Sequence, residues 1–285
     1  MDNVIVTGGA GFIGNNLIKL LVHKGYNVLS YDNYSSSSRQ NELPNVEYFQ
    51  GDINEIDTNL KKNNFKYCFH LAAQSRVQPS FDDPQQSFHD NVSGTISVLE
   101  WAKKNNIKLI YAGSSSKHHD YRSSPYATTK FIGEEICKLY KTSYNLHVEI
   151  ARFYNVYGPY EPVDSKLGNV IGIWRSLIFK NKPIPIVGDG EQRRDFTHVN
   201  DIVDGILKIA ETNKTHIDAW ELGSGINYSI NELALMFKKK FNVNSYYIDE
   251  QPGNFRESLR INNDCLKLLN WKPKDRIKDY INNLK

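Results

Sequence analysis

The chain has 285 residues, of which 40% are hydrophobic and 24% are charged, so it is long enough for one large globular domain or two coupled ones. Its 35 basic and 32 acidic residues nearly balance, to a formal net charge of +3, which disfavours a nucleic-acid partner. No segment approaches the roughly 18 consecutive apolar residues of a membrane-spanning helix, and a strand is predicted almost at the first residue, so we expect a cytoplasmic protein without a membrane partner.

The first predicted unit is a strand, a glycine loop, a helix and a second strand. The loop reads VTGGAGFIG from Val6 to Gly14 and contains G-x-G-x-x-G, a motif whose glycines let the backbone approach a dinucleotide pyrophosphate at a helix amino terminus. The second strand ends at Asp32, whose carboxylate could accept the ribose hydroxyls of NAD and would repel the phosphate of NADP. The alternative is that Asp32 only starts a turn.

Strands and helices continue to alternate beyond this unit. Strands are predicted at 46–49, 67–73, 109–112 and 148–153, with helices at 91–104 and 126–144. This alternation predicts an α/β fold with a Rossmann-type doubly wound parallel sheet. From Gly158 the pattern changes, with a helix at 169–179 and a turn at 188–190, which predicts a smaller α/β lobe. We assign residues 1–157 and 190–222 to the NAD-binding domain, and 158–189 and 223–285 to the lobe.

Chemistry is predicted at the helix that begins near Tyr126. Tyr126 and Lys130 lie four residues apart, so the lysine can stabilise a phenolate that acts as a general base. Upstream, Ser114, Ser115 and Ser116 offer hydroxyls to a substrate alcohol or to its developing carbonyl. The alternatives are a chance Tyr-x-x-x-Lys match and an ordinary serine loop.

Together these motifs give a resemblance that covers nearly the whole chain. The sequence resembles the extended short-chain dehydrogenases/reductases of the nucleotide-sugar epimerase and dehydratase group, in particular NAD-dependent UDP-glucose and UDP-N-acetylglucosamine 4-epimerases. The resemblance rests on TGGAGFIG at 7–14, Asp32, Gly51 to Ile53, His70 to Ala73, Asn91, the serines, Tyr126 with Lys130, RFYNVYGP at 152–159, and Gly188 to Gly190 followed by Arg194 to Phe196.

The resemblance implies a role for each matching residue. Ser114, Ser115, Tyr126 and Lys130 are expected to be catalytic. The expected NAD-binding residues are Gly8, Gly11, Phe12, Ile13, Gly14, Asp32, Asn33, Asp52, Ile53, Leu71, Ala72, Ala73, Asn91, Tyr126, Lys130, Phe153 and Val156. The expected substrate-binding residues are Ser114, Tyr126, Asn155, Asn169, Val170, Ser258 and the two diphosphate clamps Arg194 and Arg256.

The reaction implied by the resemblance is C4 epimerisation of a UDP-hexose through a 4-keto intermediate, with NAD regenerated. Dehydrating members carry an Asp-Glu pair where this chain has Ser115 and Ser116, so it resembles the epimerases more closely. A 4,6-dehydratase or 4-keto reductase remains the alternative enzyme, and a non-catalytic NAD-sensing protein is a third hypothesis.

The resemblance also bears on the sugar. Ser258 stands where epimerases restricted to plain hexoses carry a tyrosine, which favours UDP-GlcNAc and UDP-GalNAc, with UDP-glucose and UDP-galactose also accepted. An ordinary loop serine is its alternative.

Two further expectations concern metals and oligomers. Cys68, Cys137 and Cys265 are too widely spaced for a zinc site or a disulfide framework, and His118 and His119 are expected to be exposed loop residues, so no metal site is predicted. Family members pair two helices into a four-helix interface, which implies a homodimer here. The apolar residues expected at that interface include Val98, Leu99, Trp101, Phe131, Ile132, Ile136 and Leu139.

Overall fold

The structure, a computed structural model, describes residues 1–60, 64–164 and 167–284. The strands in these ranges are β1 (Asn3–Thr7), β2 (Asn27–Asp32), β3 (Glu47–Gln50), β4 (Phe65–His70), β5 (Lys108–Ser114), β6 (Val148–Phe153), β7 (Asn155–Tyr157), β8 (Ile184–Val187), β9 (Arg193–His198), β10 (Trp220–Leu222), β11 (Asn227–Ser229) and β12 (Ser245–Ile248). The helices are α1 (Phe12–His23), α2 (Ile56–Asn59), α3 (Val77–Asp82), α4 (Pro84–Phe88), α5 (Gly94–Asn105), α6 (Pro125–Ser143), α7 (Val170–Phe179), α8 (Val199–Glu211), α9 (Ile230–Phe241), α10 (Asp264–Leu268) and α11 (Ile277–Asn283).

Seven parallel strands form the main sheet, in the order β10-β6-β5-β4-β1-β2-β3. The chain moves outward from β1 in both directions, so the predicted doubly wound Rossmann-type sheet is confirmed. β5 and β6 are buried along their whole lengths, because helices cover both faces of a parallel sheet. One face packs against α1 and α8, and the other against α5 and α6.

A smaller group of elements packs around a separate apolar cluster that includes Trp174 of α7, Leu233 and Phe237 of α9, and Ile281 of α11. β8 pairs with β12, and β7, β9 and β11 form a three-stranded sheet. Within the predicted return at 190–222, β10 joins the main sheet and α8 packs on it, whereas β9 lies in the three-stranded sheet. The assignment of whole lobes to cofactor and substrate stays a prediction.

The helices predicted to form a dimer interface contribute partly to the core instead. Val98, Leu99 and Trp101 are fully buried within the chain, so the prediction that they lie on the interface is wrong. They point toward the main sheet, because that face of α5 covers β4 and β5. None of the helices in the described ranges combines the length and apolar composition needed to cross a bilayer.

Candidate active site

A cavity of about 810 Å³ opens at the carboxyl edge of the main sheet. Ligands bind at this edge in doubly wound folds, because the strand order reverses there and leaves a crevice between the loops. The loops after β1, β2, β4, β5 and β6 line one side, and β9, α7 and the segment around Phe255 line the other. Most of the predicted site residues therefore meet in one cavity.

The glycine loop has the form of a phosphate cradle. Gly8 adopts a φ of +71°, and a Cβ there would lie 2.8 Å from the Ala72 nitrogen. A Cβ at Gly14 would lie 2.2 Å from the Gly8 oxygen, so the helix can pack this close only with glycine. Gly8, Gly11, Phe12, Ile13 and Gly14 all line the cavity, where the first turn of α1 presents N–H groups to an anion. This cradle fits the pyrophosphate of NAD.

The adenosine side of the cavity contains Asp32 at the end of β2. Its carboxylate accepts hydrogen bonds from the backbone N–H groups of Ala10 at 3.0 Å and Tyr34 at 2.8 Å, which fixes it beside the glycine loop. Asn33 and Ile53 also line the cavity. Asp52 does not, because its side chain caps a short helical turn by accepting the Asn54 N–H.

The loop after β4 forms the cavity wall with Leu71, Ala72 and Ala73. Asn91 holds this loop from behind: its side chain accepts the Gln74 N–H at 2.8 Å and donates to the Gln74 carbonyl at 3.0 Å. Asn91 is buried outside the cavity lining, so the structure gives it a supporting position.

Tyr126 and Ser114 form a hydrogen-bonded pair on the cavity wall. The Tyr126 hydroxyl donates to Ser114 Oγ at 3.2 Å, and Ser116 Oγ donates to the same atom at 3.0 Å. The parallel register places Ser114 beside Phe153, which also lines the cavity together with Ser115 and Val156. The amino end of α6 is fixed because the Tyr126 N–H donates to Ser80 Oγ at 3.1 Å.

Burial and neighbouring charges act on the Tyr126 phenol. Burial raises the pKa of the Tyr126 phenol, and the hydrogen bond with Ser114 and the positive charge of Arg76 partly offset that rise. Lys130 is buried one turn along α6, where its Nζ donates to the Ala112 carbonyl at 2.9 Å, and burial lowers its pKa to about 8. A phenolate at Tyr126 therefore lies in a positive field to which Arg76 contributes.

A buried ion network supports the serine loop. Glu134 of α6 accepts the Ser114 N–H at 3.2 Å and a hydrogen bond from Arg152 Nη2 at 2.6 Å. Arg152 also donates to Glu221 at 2.5 Å and to Asp218 at 3.0 Å. The arginine and both glutamates are almost completely inaccessible to solvent, so this network ties β5, β6, α6 and β10 together behind the site.

Arg194 of β9 faces the cavity from the opposite side. No carboxylate among the described residues lies within ion-pair distance of it, and its Nη1 donates only to the Arg193 carbonyl. Burial, with the positive charge of Arg256, lowers the pKa of Arg194 to about 10, so the group remains charged at neutral pH. An unpaired guanidinium of this kind suits a diphosphate. Asn155, Asn169 and Val170 line the same region, although the Asn169 side chain also caps α7.

Two predicted substrate residues lie outside the cavity. Arg256 is exposed and makes a bidentate ion pair with Asp189, at 3.0 and 3.1 Å, at the turn before β9. Ser258 is buried, its N–H donates to the Arg193 carbonyl at 3.0 Å, and it does not line the cavity. The segment that carries both residues pairs with β9 through a bridge between Glu257 and Arg193.

His118 and His119 are not exposed loop residues, so that prediction is wrong. His118 Nε2 lies 2.9 Å from Glu221 Oε1, which attaches the serine loop to the buried network. The His119 ring stacks on Phe255, with ring centroids 3.9 Å apart. Within the described part of the chain, no three His, Cys, Asp or Glu side chains come together as a metal site would require.

Arg76, Gln192 and Phe255 also line the cavity, although no sequence motif assigned them to the site. Arg76 follows His70 to Ala73 by only three residues, so its position after a central strand was a usable signal. Gln192 and Phe255 had no such signal, because pairing between distant segments brings them to the site.

Comparisons with known proteins agree with this arrangement. Residues 4–223 match the model of the NAD dependent epimerase/dehydratase family. A Methanocaldococcus jannaschii protein named "Putative UDP-glucose 4-epimerase" is 33% identical, over 98% of this chain and 95% of its own. A UDP-glucuronate 4-epimerase from Thermodesulfobacterium geofontis is 31% identical, over 98% and 94%. The structure of a UDP-N-acetylglucosamine 4-epimerase from Methanobrevibacter ruminantium, in complex with UDP-N-acetylmuramic acid, superposes with a TM-score of 0.90 at 28% identity, covering 99% of this chain and 96% of that one.

Proposed function

Because this chain belongs to the NAD-dependent epimerase/dehydratase family, we propose that it interconverts the C4 epimers of UDP-hexoses with NAD as its resident cofactor. The observation that carries the proposal is the Tyr126–Ser114 pair, which shares one cavity with the glycine cradle and with Arg194, a cation that has no carboxylate partner among the described residues. The cavity thus combines a candidate proton acceptor, an anion site for NAD and a second anion site for a nucleotide diphosphate. The names of the similar proteins support a UDP-sugar as the substrate.

In the proposed mechanism the Tyr126 phenolate accepts the proton of the sugar 4-hydroxyl, and the Ser114 hydroxyl holds the same oxygen. When bound, NAD supplies the chemistry that takes a hydride from C4 and returns it to the opposite face. Arg194 holds the diphosphate, so the sugar can turn while the nucleotide stays fixed. The Tyr126 hydroxyl then gives the proton back to O4. Buried Lys130 and partly buried Arg76 supply positive charge that stabilises the phenolate between these steps.

The distribution of carboxylates favours epimerisation over dehydration. Elimination of water requires a further acid and base beside the sugar. Among the described residues that line the cavity, the carboxylates are those of Asp32 and Asp90. Asp32 is held at the glycine loop, and Asp90 accepts a hydrogen bond from Gln86 at 2.7 Å. The chain positions that follow Ser114 are Ser115 and Ser116, neither of which carries a carboxylate.

The sugar itself is proposed only as a UDP-hexose. The preference for UDP-GlcNAc and UDP-GalNAc was inferred from Ser258, which does not line the cavity, so the acetylated pair stands beside the plain pair as a substrate to be tested. The similar proteins carry names for glucose, glucuronate and N-acetylglucosamine, and an informative test includes all three kinds of sugar.

We expect the purified protein, without added cofactor, to convert at least one UDP-hexose of such a panel to its C4 epimer. Products are identified by NMR, and the absorbance of reduced nicotinamide is followed in parallel. Net consumption of added NADH would indicate a reductase, and accumulation of a 4-keto-6-deoxy sugar would indicate a dehydratase. Either result would contradict the proposed epimerisation.

We also propose that the enzyme is a cytoplasmic homodimer that pairs through α5 and α6. Leu139 is 52% exposed and Ile96 is 38% exposed, which leaves apolar side chains on the outer face of these helices although Val98, Leu99 and Trp101 are buried. Light scattering at micromolar concentration is expected to give twice the mass of the chain. A monomer mass would contradict this proposal.

A further inference from the structure

Arg76 is a partly buried cation in the cavity, and the proposed epimerisation of a neutral hexose gives its guanidinium no group of the sugar to bind. It lies between the β4 loop and α3, and it lines the cavity together with Tyr126. α3 is attached to the start of α6, because Ser80 accepts the Tyr126 N–H at 3.1 Å. This attachment holds the Arg76 segment close to the Tyr126 end of the site.

Among the described residues, the guanidinium of Arg76 makes one hydrogen bond. Its Nε donates to the Leu167 carbonyl at 2.5 Å. Within residues 1–60, 64–164 and 167–284, neither terminal nitrogen has a hydrogen-bond partner, and no carboxylate lies within ion-pair distance of the group. The two terminal nitrogens of a guanidinium can donate two parallel hydrogen bonds, and so bind both oxygens of one carboxylate.

The surrounding charges leave this cation incompletely compensated. Burial lowers the pKa of Arg76, and the charges of Tyr126, Asp164 and Glu161 offset only part of that effect. Glu161 itself is engaged by Tyr280 at 2.9 Å and Asn169 at 3.1 Å. Burial of a cation without close pairing is costly, and an anionic group on the ligand would recover that free energy.

From this geometry we propose that Arg76 recognises a carboxylate on the hexose, and that the preferred substrates are UDP-hexuronic acids. The inference rests on the proposed epimerase function and specifies its substrate class. The C6 carboxylate of a hexuronic acid is separated from C4 by one ring carbon, so a sugar with O4 at Tyr126 carries its acid group near Arg76. Arg194 remains available for the diphosphate on the other side of the cavity.

The test compares binding and turnover for UDP-glucuronate and UDP-glucose. Binding is measured by calorimetry in a Tyr126→Phe background, where turnover does not interfere. We expect Arg76→Gln to weaken UDP-glucuronate binding about 30-fold or more relative to UDP-glucose, because a desolvated charge pair is lost. In the protein with Tyr126, the ratio of kcat/KM for UDP-glucuronate to that for UDP-glucose should fall by a similar factor. Arg76→Lys keeps the charge without the fork and should give an intermediate ratio, and exposed Arg122→Gln is the matched control.

Each other outcome has a distinct meaning. An unchanged ratio in Arg76→Gln would overturn the proposal. An equal loss for both sugars, with the pH profile displaced to higher pH, would show that Arg76 acts on the Tyr126 phenol and would also overturn it. If no UDP-sugar is epimerised, the proposed function fails, while the binding measurement still decides whether Arg76 selects the acid.

Discussion

Tyr126→Phe is expected to lower turnover by about 100-fold or more while leaving the fold and NAD binding intact. The substitution removes only the hydroxyl that donates to Ser114 at 3.2 Å, and the ring can keep its place in the cavity wall. Without that oxygen the site has no group at this position to take the proton of the 4-hydroxyl. Steady-state kinetics, with thermal melting and calorimetric NAD binding as checks on integrity, measure the effect.

A matched control is available at the opposite end of the same helix. Tyr144 is 52% exposed at the carboxyl terminus of α6, and Tyr144→Phe should leave turnover unchanged. The phenol must lose its proton to act, and burial raises its pKa, so kcat/KM should increase as the pH rises. Near-native turnover in Tyr126→Phe would remove Tyr126 from the mechanism.

The parts of the structure that local sequence determines were predictable. The glycine loop, the acidic end of β2 and the alternation of strands and helices gave the Rossmann-type sheet and the NAD cofactor, both of which are confirmed. Helix α9 begins at Ile230 because Ser229 and Glu232 form a capping box, which is a signal of the local sequence. These signals lie within a few residues of the feature they predict.

Features that depend on long-range pairing were not predictable. Arg256 has the residue type of a diphosphate clamp, but its ion pair with Asp189 holds it outside the cavity. The local sequence around His118 is that of an exposed loop, but β10 places Glu221 next to its imidazole ring. An apolar residue such as Trp101 gives the same sequence pattern in a dimer interface as in the core, and in the structure it lies in the core. The roles assigned to individual site residues stay predictions, since geometry alone does not test them.

The largest effect on stability is expected from Arg152→Met. The substitution leaves Glu134 and Glu221 buried without their cation, and breaking a buried pair in this way costs about 3–5 kcal/mol. Burial would raise the pKa of Glu221, but its hydrogen bond with His118 and the charge of Arg152 lower it below the usual range. Chemical denaturation of the two proteins at neutral pH measures the difference in unfolding free energy. Arg152→Lys, which keeps the charge, serves if the methionine variant does not fold.

The pH dependence of that difference identifies its cause. In Arg152→Met the Glu221 carboxylate has lost the charge that lowers its pKa, so its pKa in the folded state should rise above that in the unfolded chain. Groups shifted in this direction favour folding at low pH and lose that contribution as the pH rises, so the deficit should shrink toward about pH 4. Exposed Arg122→Met, whose partner Asp120 is also at the surface, should leave stability unchanged at every pH. A stability deficit in Arg152→Met that is constant with pH would indicate lost packing, since uncompensated carboxylates must titrate.

Turnover should respond as well. Because Glu134 also accepts the Ser114 N–H, the variant should lose turnover even under conditions where it remains folded.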